Sequence, residues 1–529
     1  MDLLLYNGII KTLDNNNSAY EALGIKGNKV NFLGSNKEAK RLKAEKKIDL
    51  DGKLLLPGFI DTHLHLLHYA LAESMVKLSV CQSIEEVIDK GKEFLENEGL
   101  KFGWLLGRGW NQNNFINTDK FVTKDDLDKI STDYPIFFTR VCGHMATVNS
   151  KGLEKIKNME KAAELDKYID EKTGILTESA VSLKTELYKD IDINEIKDLL
   201  VTGQRDLNKA GITSVHSADF STLSSSSWEK VITAYKELEK ENKLTVRTYE
   251  QAMFDEIKEI NKFIDKGYKT GMGSEFFKIG PLKLLADGSL GARTAYMNEP
   301  YSDDKSTRGT LIFSENKLRE IFKKAHDNGL QIAVHAIGDA AIDINVDLLN
   351  EINKSEKENP LRHGIVHAQF TNEEILEKMK EGKLLAYIQP VFVGTDLKIA
   401  EDRVGKDRLK KAYAWKSMLD MGIKAPGSSD APVESFDIME NIYFAVTRKD
   451  LEGYPEEGWL PEEKLSVEEA IRLFTTEAAY ASFEENIKGS LEEDKLADLV
   501  VLDRNIFEID KDEIKDINII YTIVGGEIV

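Results

Sequence analysis

The sequence predicts an α/β fold, a (β/α)8 TIM-like barrel that carries a small composite β-sandwich domain and one long insertion. In the middle of the chain, short apolar segments alternate with helical stretches rich in Lys, Glu, Ile and Leu, as parallel strands alternate with crossover helices. Both ends of the chain are instead rich in short strands and turns. About 150 residues separate the first two candidate barrel strands, far more than an ordinary strand–helix connection needs.

Composition restricts the classes of protein to consider. The chain has 529 residues, 41% of them hydrophobic, and a formal net charge of −21. This charge argues against nucleic acid or a membrane surface as the main partner, because both repel a negative face. The two cysteines, Cys81 and Cys142, cannot form a disulfide framework and suit a reducing compartment. With no signal-like N-terminus and no long apolar run, the sequence predicts a cytoplasmic protein.

The two ends of the chain are predicted to form the composite β domain from residues 1–56 and 484–529. The first segment contains strand-like runs such as Leu3–Tyr6, each followed by a turn. The second contains similar runs at 497–502 and Ile519–Val524. Because chain ends often lie close together, we expect the two segments to share one domain.

The middle of the chain is predicted to form the catalytic barrel from residues 57–68 and 193–483. A doubly wound open sheet is the alternative, but no G-x-G-x-x-G motif follows the first strand. Residues 69–192 are predicted to be an insertion near the barrel mouth with its own structure. The eight candidate barrel strands are 57–62, Ile212–Ser217, 245–250, 279–286, 331–336, 364–368, 384–389 and 423–428.

The end of the first barrel strand is the first candidate site. Functional groups of such barrels sit at the C-terminal ends of the strands. A strand alternates faces at every residue, so His63 and His65 point the same way. Two imidazoles on one face can hold a divalent cation such as zinc. An H-x-H pair alone is a weak signal, since half-buried histidines are common.

Three further strand ends strengthen the prediction. His335, His367 and Asp430 each follow an apolar run. Singly, each is better explained as a turn or cap residue, but chance does not readily place His or Asp at four of eight strand ends. His363 precedes its apolar run and therefore belongs to the opposite end of the barrel.

Lys283 lies inside an apolar candidate strand, where a buried ammonium is costly unless it is paired. One interpretation is a salt bridge, for example with Asp287. The other is loss of the proton and reaction of the amine with carbon dioxide, which gives a carbamate anion that can bridge two metal ions. The spacing alone does not separate the two.

Several motifs together resemble the amidohydrolase superfamily, and more narrowly its branch of long amidohydrolases that includes N-substituted formamide deformylases. They are P-G-F-I-D-T-H-L-H, L-K-L-L-A-D-G-S-L-G-A-R-T-A, A-V-H-A-I-G-D-A-A, I-V-H-A-Q and S-S-D-A-P-V-E. The resemblance implies a metallo-dependent hydrolase barrel with one or two divalent ions, preferably zinc, and it suggests a homodimer. The ligands that it implies are His63, His65, N-carboxylated Lys283, His335, His367 and Asp430.

The expected function is hydrolysis of a non-peptide C–N bond, in an amide, formamide or cyclic amide of a small molecule. The metal would lower the pKa of water and polarise the substrate carbonyl, while Asp430 would accept the proton and deliver it to the leaving amine. Ester, lactone or phosphotriester hydrolysis on the same centre is one alternative. A scaffold without chemistry is another, although it would not need this ligand set.

Substrate contacts are predicted at three positions outside the ligand set. Trp110 and His144 lie in the insertion, in segments similar to those of the family. Trp110 is equally well explained by packing, and His144 by a hydrogen bond to a backbone carbonyl. Arg293 would contact an anionic substrate group or pair with an acid.

Overall fold

The computed structural model describes residues 1–116, 118–188, 191–223, 227–353 and 359–529. The chain forms two compact units. The first contains Met1–Leu66, Gly203–Asp219 and Tyr235–Val529, and the second contains Leu67–Thr202 and Phe220–Ala234.

The strands are numbered in chain order. They are β1 Leu3–Tyr6, β2 Ile9–Lys11, β3 Ala19–Tyr20, β4 Ala22–Lys26, β5 Lys29–Gly34, β6 Lys46–Asp49, β7 Leu54–Pro57, β8 Phe59–Leu64, β9 Val76–Lys77, β10 Leu105–Trp110, β11 Ile136–Arg140, β12 Met145–Val148, β13 Ile169–Asp170, β14 Ile175–Thr177, β15 Ile212–Ser217, β16 Arg247–Met253, β17 Phe277–Leu285, β18 Ile332–Ala336, β19 Gly364–His367, β20 Leu385–Tyr387, β21 Leu499–Leu502, β22 Ile519–Val524 and β23 Glu527–Ile528.

The α-helices are numbered in the same way, and within the described residues every helix is too short or too polar to cross a bilayer. They are α1 Asn36–Ala39, α2 Leu66–Glu73, α3 Ile84–Asn97, α4 Lys124–Asp128, α5 Ser150–Lys157, α6 Ile193–Lys209, α7 Trp228–Lys240, α8 Ile257–Asp265, α9 Glu315–Asp327, α10 Asp339–Asn353, α11 Glu373–Glu381, α12 Val393–Asp396, α13 Ala400–Val404, α14 Lys406–Leu409, α15 Trp415–Asp420, α16 Ile438–Thr447, α17 Val467–Leu473 and α18 Thr476–Ala481.

The two chain ends build one β sandwich in the first unit. A four-stranded sheet has the order β5-β4-β1-β6, and a six-stranded sheet has the order β23-β22-β21-β7-β2-β3. Alternating apolar side chains of both sheets pack into one core, because a strand turns every second residue to the same face. This core includes Leu3 and Leu5 of β1, Leu499 and Val501 of β21, and Ile523 of β22.

Strands β7 and β21 join the N-terminal and C-terminal segments directly. They pair antiparallel, with Leu55 opposite Val501 and Pro57 opposite Leu499. Proline lacks an amide proton, and it is tolerated here because Pro57 is the last residue of its strand. The composite β domain expected from the strand-rich ends is therefore formed by main-chain pairing between the two ends.

The barrel consists of seven parallel strands in the order β20-β19-β18-β17-β16-β15-β8. Neighbouring strands pair in parallel throughout, from β8–β15 to β19–β20. Strand β15 has the predicted bounds, whereas β8 begins two residues later than predicted because Pro57 belongs to β7. The predicted (β/α)8 class is confirmed, with one strand fewer than expected.

The prediction of a regular eighth strand at 423–428 is wrong. Gly427 forms only an isolated parallel bridge to Ile388. Residues 423–428, called the closing segment below, nevertheless close the barrel through two hydrogen bonds. The amide of Ile388 donates to the carbonyl of Pro426 at 3.0 Å, and the amide of Thr62 donates to the carbonyl of Gly427 at 3.1 Å. Pro426 has no amide proton to donate, so a regular ladder cannot form at this position.

The second unit contains a sheet of its own, with the order β13-β14-β12-β11-β10-β9. Its core is a cluster of buried residues from β9–β11, α3 and α4 that includes Val76, Leu105, Trp110, Leu127 and Phe138. The long segment after the first barrel strand therefore has its own hydrophobic core, as expected of an inserted module.

Candidate metal centre

Three polar side chains meet where the end of β8 lies beside the residues that follow the closing segment. They are His63, His65 and Asp430. Nε2 of His63 and Nε2 of His65 each lie 3.3 Å from Oδ1 of Asp430. The two imidazole rings are 5.2 Å apart and meet edge to face. His63 is almost fully buried, while the side chains of His65 and Asp430 keep 18% and 11% of their surface exposed. The site is therefore accessible from the side of His65 and Asp430.

The backbone holds Asp430 in an unusual conformation. Its φ of +62° lies in the left-handed region, and its amide donates to the carbonyl of His63 at 2.8 Å. Non-glycine residues in this region are uncommon and concentrate at functional sites. Burial raises the pKa of the carboxyl, but positive charge on the Nε2 side of His63 and His65, supplied by a proton or by a bound cation, outweighs burial and holds the pKa well below its usual range. The carboxylate is therefore ionised at neutral pH.

Strands β18 and β19 bring two further histidines to the same place. The ring of His367 lies 5.9 Å from that of His63 and 4.4 Å from that of His335. His367 also has a positive φ, of +78°. Ligand atoms of His63, His367 and Asp430 all lie within 4.8 Å of one another, close enough to share one metal ion.

The buried histidines are neutral at physiological pH. Burial lowers the pKa of His63 to about 4 and that of His335 to about 3, and the charge of Lys283 adds to both effects. Burial likewise holds the pKa of His367 well below its ordinary value. Neutral imidazole is the form that binds a metal, so these side chains are prepared as ligands without loss of a proton.

Lys283 lies on β17 with its side chain buried among these groups. Burial lowers the pKa of its ammonium to about 8, and Asp430 opposes that shift. Within the described part of the chain, Lys283 has no hydrogen bond or ion pair. The alternative of a salt bridge with Asp287 is not seen, because Asp287 accepts hydrogen bonds from the amides of Tyr296, Ile337 and Gly338 instead.

The donor set fits a divalent cation. Nδ1 of His65 lies 3.1 Å from the carbonyl of Ala218, which can only accept, so Nδ1 carries the proton and Nε2 presents a lone pair. That lone pair faces an ionised carboxylate oxygen, and two electron-rich atoms 3.3 Å apart repel unless they share a cation. His63, His65, His367 and Asp430 together offer the N and O ligands that zinc prefers.

Two buried carboxylates support the site and were missed as site residues in the sequence. Asp61 accepts from the amides of His63 and Ser429 at 3.1 and 3.2 Å, and burial raises its pKa to about 7. Asp287 lies 3.4 Å from Nε2 of His335. The sequence positions of both carboxylates indicate a place near the metal ligands. Asp61 lies two residues before His63 on the same strand face, and Asp287 follows the end of β17.

Trp110 does not lie on an accessible surface. Its ring is fully buried in the core of the second unit, and its indole N–H donates to the carbonyl of Phe138 at 3.1 Å. No part of the side chain is exposed to a substrate in this arrangement. The geometry therefore favours the packing role and corrects the expectation of a substrate contact.

The other two predicted substrate contacts have partners within their own units. The exposed His144 places Nδ1 3.4 Å from Oε2 of Glu178. Arg293 is held by Asp303 through two hydrogen bonds of 3.0 and 2.8 Å, so it pairs with an acid, as one of its two interpretations states. Within the described residues of the first unit, Arg293 is not among the groups that converge at Asp430.

Known proteins share both the sequence pattern and the fold. The model of the amidohydrolase family matches residues 46–529. The amidohydrolase-type protein YtcJ of Bacillus subtilis is 31% identical, over 100% of this chain and 99% of its own length. An N-substituted formamide deformylase of Arthrobacter pascens is 24% identical, over 99% and 97% of the two chains. The crystal structure of an uncharacterized metal-dependent hydrolase from Pyrococcus furiosus superposes with a TM-score of 0.81 and 29% identity, covering 96% of this chain and 100% of that one.

Proposed function

We propose that this chain, which belongs to the amidohydrolase family, hydrolyses a non-peptide C–N bond of a small molecule, in an amide, formamide or cyclic amide. As a member of this family it is a metal-dependent hydrolase. The observation that carries the proposal is the convergence of two imidazole Nε2 atoms on one ionised carboxylate oxygen, each at 3.3 Å. The choice of a C–N bond rests on the relative that is named a formamide deformylase.

The groups proposed to hold the metal are the six implied by the family resemblance. A divalent ion bound there would supply Lewis-acid activation of water and of the substrate carbonyl. We prefer zinc, because the set is rich in imidazole nitrogen and the carboxylate oxygen completes it. The six residues are His63, His65, Lys283, His335, His367 and Asp430.

Asp430 is the proposed proton carrier. Both imidazole contacts fall on Oδ1, so we assign Oδ2 to the proton of the attacking water. The carboxylate accepts this proton while water adds to the carbonyl carbon, and it returns the proton to the leaving nitrogen as the C–N bond breaks. A group that is ionised at rest and partly exposed can perform both steps.

Lys283 is proposed to carry a carbamate. The neutral amine would attack the carbon of carbon dioxide, so that one N–C bond forms, one C=O electron pair moves to oxygen, and one proton leaves to solvent. Burial lowers the pKa of Lys283 to about 8, which makes the neutral amine accessible near physiological pH. The product replaces a buried cation, which has no hydrogen bond or ion pair among the described residues, by an anionic oxygen ligand.

The substrates to test first combine a small acyl group with an apolar substituent. Three aliphatic side chains stay exposed close to the site, namely Leu285, Ile312 and Val433, with 38, 50 and 65% of their surface accessible. Leu285 lies on the same strand face as Lys283, two residues further on. The amide of Ile312 donates to the carbonyl of Ala286, and that of Val433 donates to the carbonyl of Asp430.

The test is a panel of matched substrates assayed with purified protein reconstituted with Zn2+ or Mn2+. N-substituted formamides, acetamides and lactams are compared with esters, lactones and phosphotriesters that have the same substituents. We expect the highest kcat/KM among the C–N substrates and loss of activity on chelation. Turnover of the C–O or P–O substrates alone would overturn the bond assignment, and absence of metal binding after reconstitution would overturn the whole proposal.

The carbamate is tested separately by carbon-13 NMR after equilibration with labelled bicarbonate. A carbamate signal in the wild type that is missing in Lys283→Met is the expected result. No signal in metal-loaded wild-type protein would remove the carbamate from the proposal while leaving the hydrolytic activity to be judged by the substrate panel.

A further inference from the structure

Two histidines of the candidate metal centre are hydrogen-bonded to glutamine side chains. Nδ1 of His63 lies 2.6 Å from Oε1 of Gln251, and Nδ1 of His367 lies 2.8 Å from Oε1 of Gln389. We propose that Gln251 and Gln389 are positioning residues that fix the Nδ1–H tautomer of these histidines and thereby turn the Nε2 lone pairs toward the metal. The inference rests on the proposed metal centre and extends it to residues outside the ligand set.

The orientation of the Gln251 amide follows from its second contact. Gln251 is fully buried on β16, and its Nε2 donates to the carbonyl of Thr62 at 2.9 Å. The reversed amide would set two carbonyl oxygens against each other at that distance, which is unfavourable in a buried site. Oε1 therefore faces His63, and since Oε1 can only accept, Nδ1 of His63 must carry the proton.

Gln389 is oriented by a chain of hydrogen bonds that runs in one direction. Its Nε2 donates to the carbonyl of Tyr387 at 3.1 Å and to Oγ of Ser428 at 2.8 Å. Ser428 in turn donates to the carbonyl of Ile388 at 3.1 Å. Every donor in this chain is already assigned, so Oε1 of Gln389 is left to accept from Nδ1 of His367.

Both glutamines are anchored to the segments that carry the ligands. Gln251 is tied to Thr62, the residue before His63, and Gln389 is tied to Ser428, two residues before Asp430. Gln251 therefore couples the ring of His63 to the backbone just before it, and Gln389 couples the ring of His367 to the side chain of Ser428, in the segment that leads to Asp430. Such contacts fix ring orientation, and their loss typically weakens metal binding 10- to 100-fold.

His363 provides an internal contrast. The amide of Ile332 donates to Nδ1 of His363 at 2.9 Å, so this nitrogen has no proton and Nε2 carries it. Nε2 lies 2.9 Å from Nδ1 of His326. A buried histidine away from the metal centre thus has the tautomer opposite to the one that we assign to His63 and His367.

The first measurement is nitrogen-15 NMR of metal-free full-length protein labelled at its nine histidines. Signals are assigned by single His→Asn variants. In the wild type we expect His63 and His367 to be protonated at Nδ1 and His363 at Nε2. A proton on Nε2 of His63 or His367 in this protein would overturn the proposal, and this reading requires no glutamine variant to fold.

The second measurement is the zinc dissociation constant, obtained by competition with a chelator, of Gln251→Leu and Gln389→Leu. The matched control is Gln331→Leu, because Gln331 is also fully buried and donates to a backbone carbonyl, that of Arg362, but has no hydrogen bond to a histidine among the described residues. We expect roughly 10- to 100-fold weaker binding in the first two variants and less than about threefold change in the control. Equal dissociation constants in all three variants would overturn the proposal.

Neither measurement uses hydrolysis as a readout. A protein with the expected tautomers and zinc affinities but no turnover of any substrate would contradict the proposed function alone. A protein that hydrolyses amides but has Nε2–H at His63 would contradict the role of the glutamines alone. The two proposals therefore fail separately.

Discussion

The amide of Asp430 donates a hydrogen bond of 2.8 Å to the carbonyl of His63. This contact joins the end of the first barrel strand to the segment that closes the barrel, and it sets Oδ1 of Asp430 opposite the imidazoles of His63 and His65. The closing segment is irregular, so this bond holds the carboxylate in register where a strand ladder would otherwise do so. The geometry of the centre therefore depends on barrel closure.

Replacing Asp430 by Asn should reduce kcat/KM by roughly 10²- to 10⁴-fold at full metal occupancy, because an amide cannot accept the proton of the attacking water. Metal content is measured in the same samples, since the carboxylate is also a proposed ligand. Asp407→Asn is the control, because that side chain is 94% exposed and pairs only with Lys410 in the described part of the chain.

Near-normal turnover of fully metallated Asp430→Asn would assign the proton transfer to another group. His216 would then be the next residue to test. It is fully buried, neither of its ring nitrogens has a hydrogen-bond partner among the described residues, and burial lowers its pKa to about 3.

Replacing His363 by Ala should lower the free energy of unfolding by about 1–3 kcal/mol, because the buried amide of Ile332 loses its acceptor. Zinc affinity should not change, since His363 precedes β19 while His367 ends it. Urea denaturation and chelator competition measure the two quantities. A loss of metal binding without a loss of stability would place His363 in the metal centre and contradict the tautomer assigned to it.

Glu484 should make stability depend on acid pH. It lies 2.5 Å from Nζ of Lys278 and 2.7 Å from Nζ of Lys488. Burial raises its pKa, but the two lysines outweigh burial and lower it to about 2. Because the folded-state value lies below the ordinary 4.5, the carboxylate stabilises the fold above about pH 4.5, and this contribution is lost as the pH falls toward 2.

We therefore expect Glu484→Gln to cost about 3 kcal/mol of unfolding free energy at pH 7 and progressively less below about pH 4. The urea midpoints of the wild type and of Glu484→Gln, measured at pH 7 and again below about pH 4, give the cost of the substitution at each pH. Glu315→Gln removes an exposed pair with Arg319 and should change stability by less than about 0.5 kcal/mol. A cost that is independent of pH would show that Glu484 acts through packing rather than through charge.

Gly427 should not tolerate a side chain. A Cβ atom there would come within 2.8 Å of the ring of Phe474 and 3.0 Å of Cβ of Leu473. Overpacking of this kind costs about 1–3 kcal/mol, so Gly427→Ala should shift the urea midpoint accordingly. Gly291→Ala is the control, since the nearest atom to its Cβ would be 3.9 Å away. Equal stabilities of the two variants would show that the closing segment adapts to the methyl group.

Much of the barrel and the positions of the histidines could be read from local sequence. Strand β15 has its predicted bounds, and the H-x-H motif spans the end of β8, with His65 just after its last residue, because strand formation and face alternation depend on neighbouring residues. His367 is the last residue of β19 and His335 the last but one of β18 for the same reason. These features are encoded over a few residues, and no long-range contact is needed to recognise them.

Other features depend on residues that are far apart in the chain. Nothing local distinguishes Gln251 from any glutamine in a strand, because its partner His63 is 188 positions away. The polar, glycine-containing sequence around Trp110 is typical of a loop at a substrate pocket. In the structure the surrounding sheet buries Trp110, and its indole N–H donates to the carbonyl of Phe138. The 423–428 segment has the composition of a strand, but its pairing with β8 and β20 is interrupted around Pro426. Periodicity reports which face a side chain occupies, whereas hydrogen-bond partners are set by the packing of distant segments, which no short window of sequence contains.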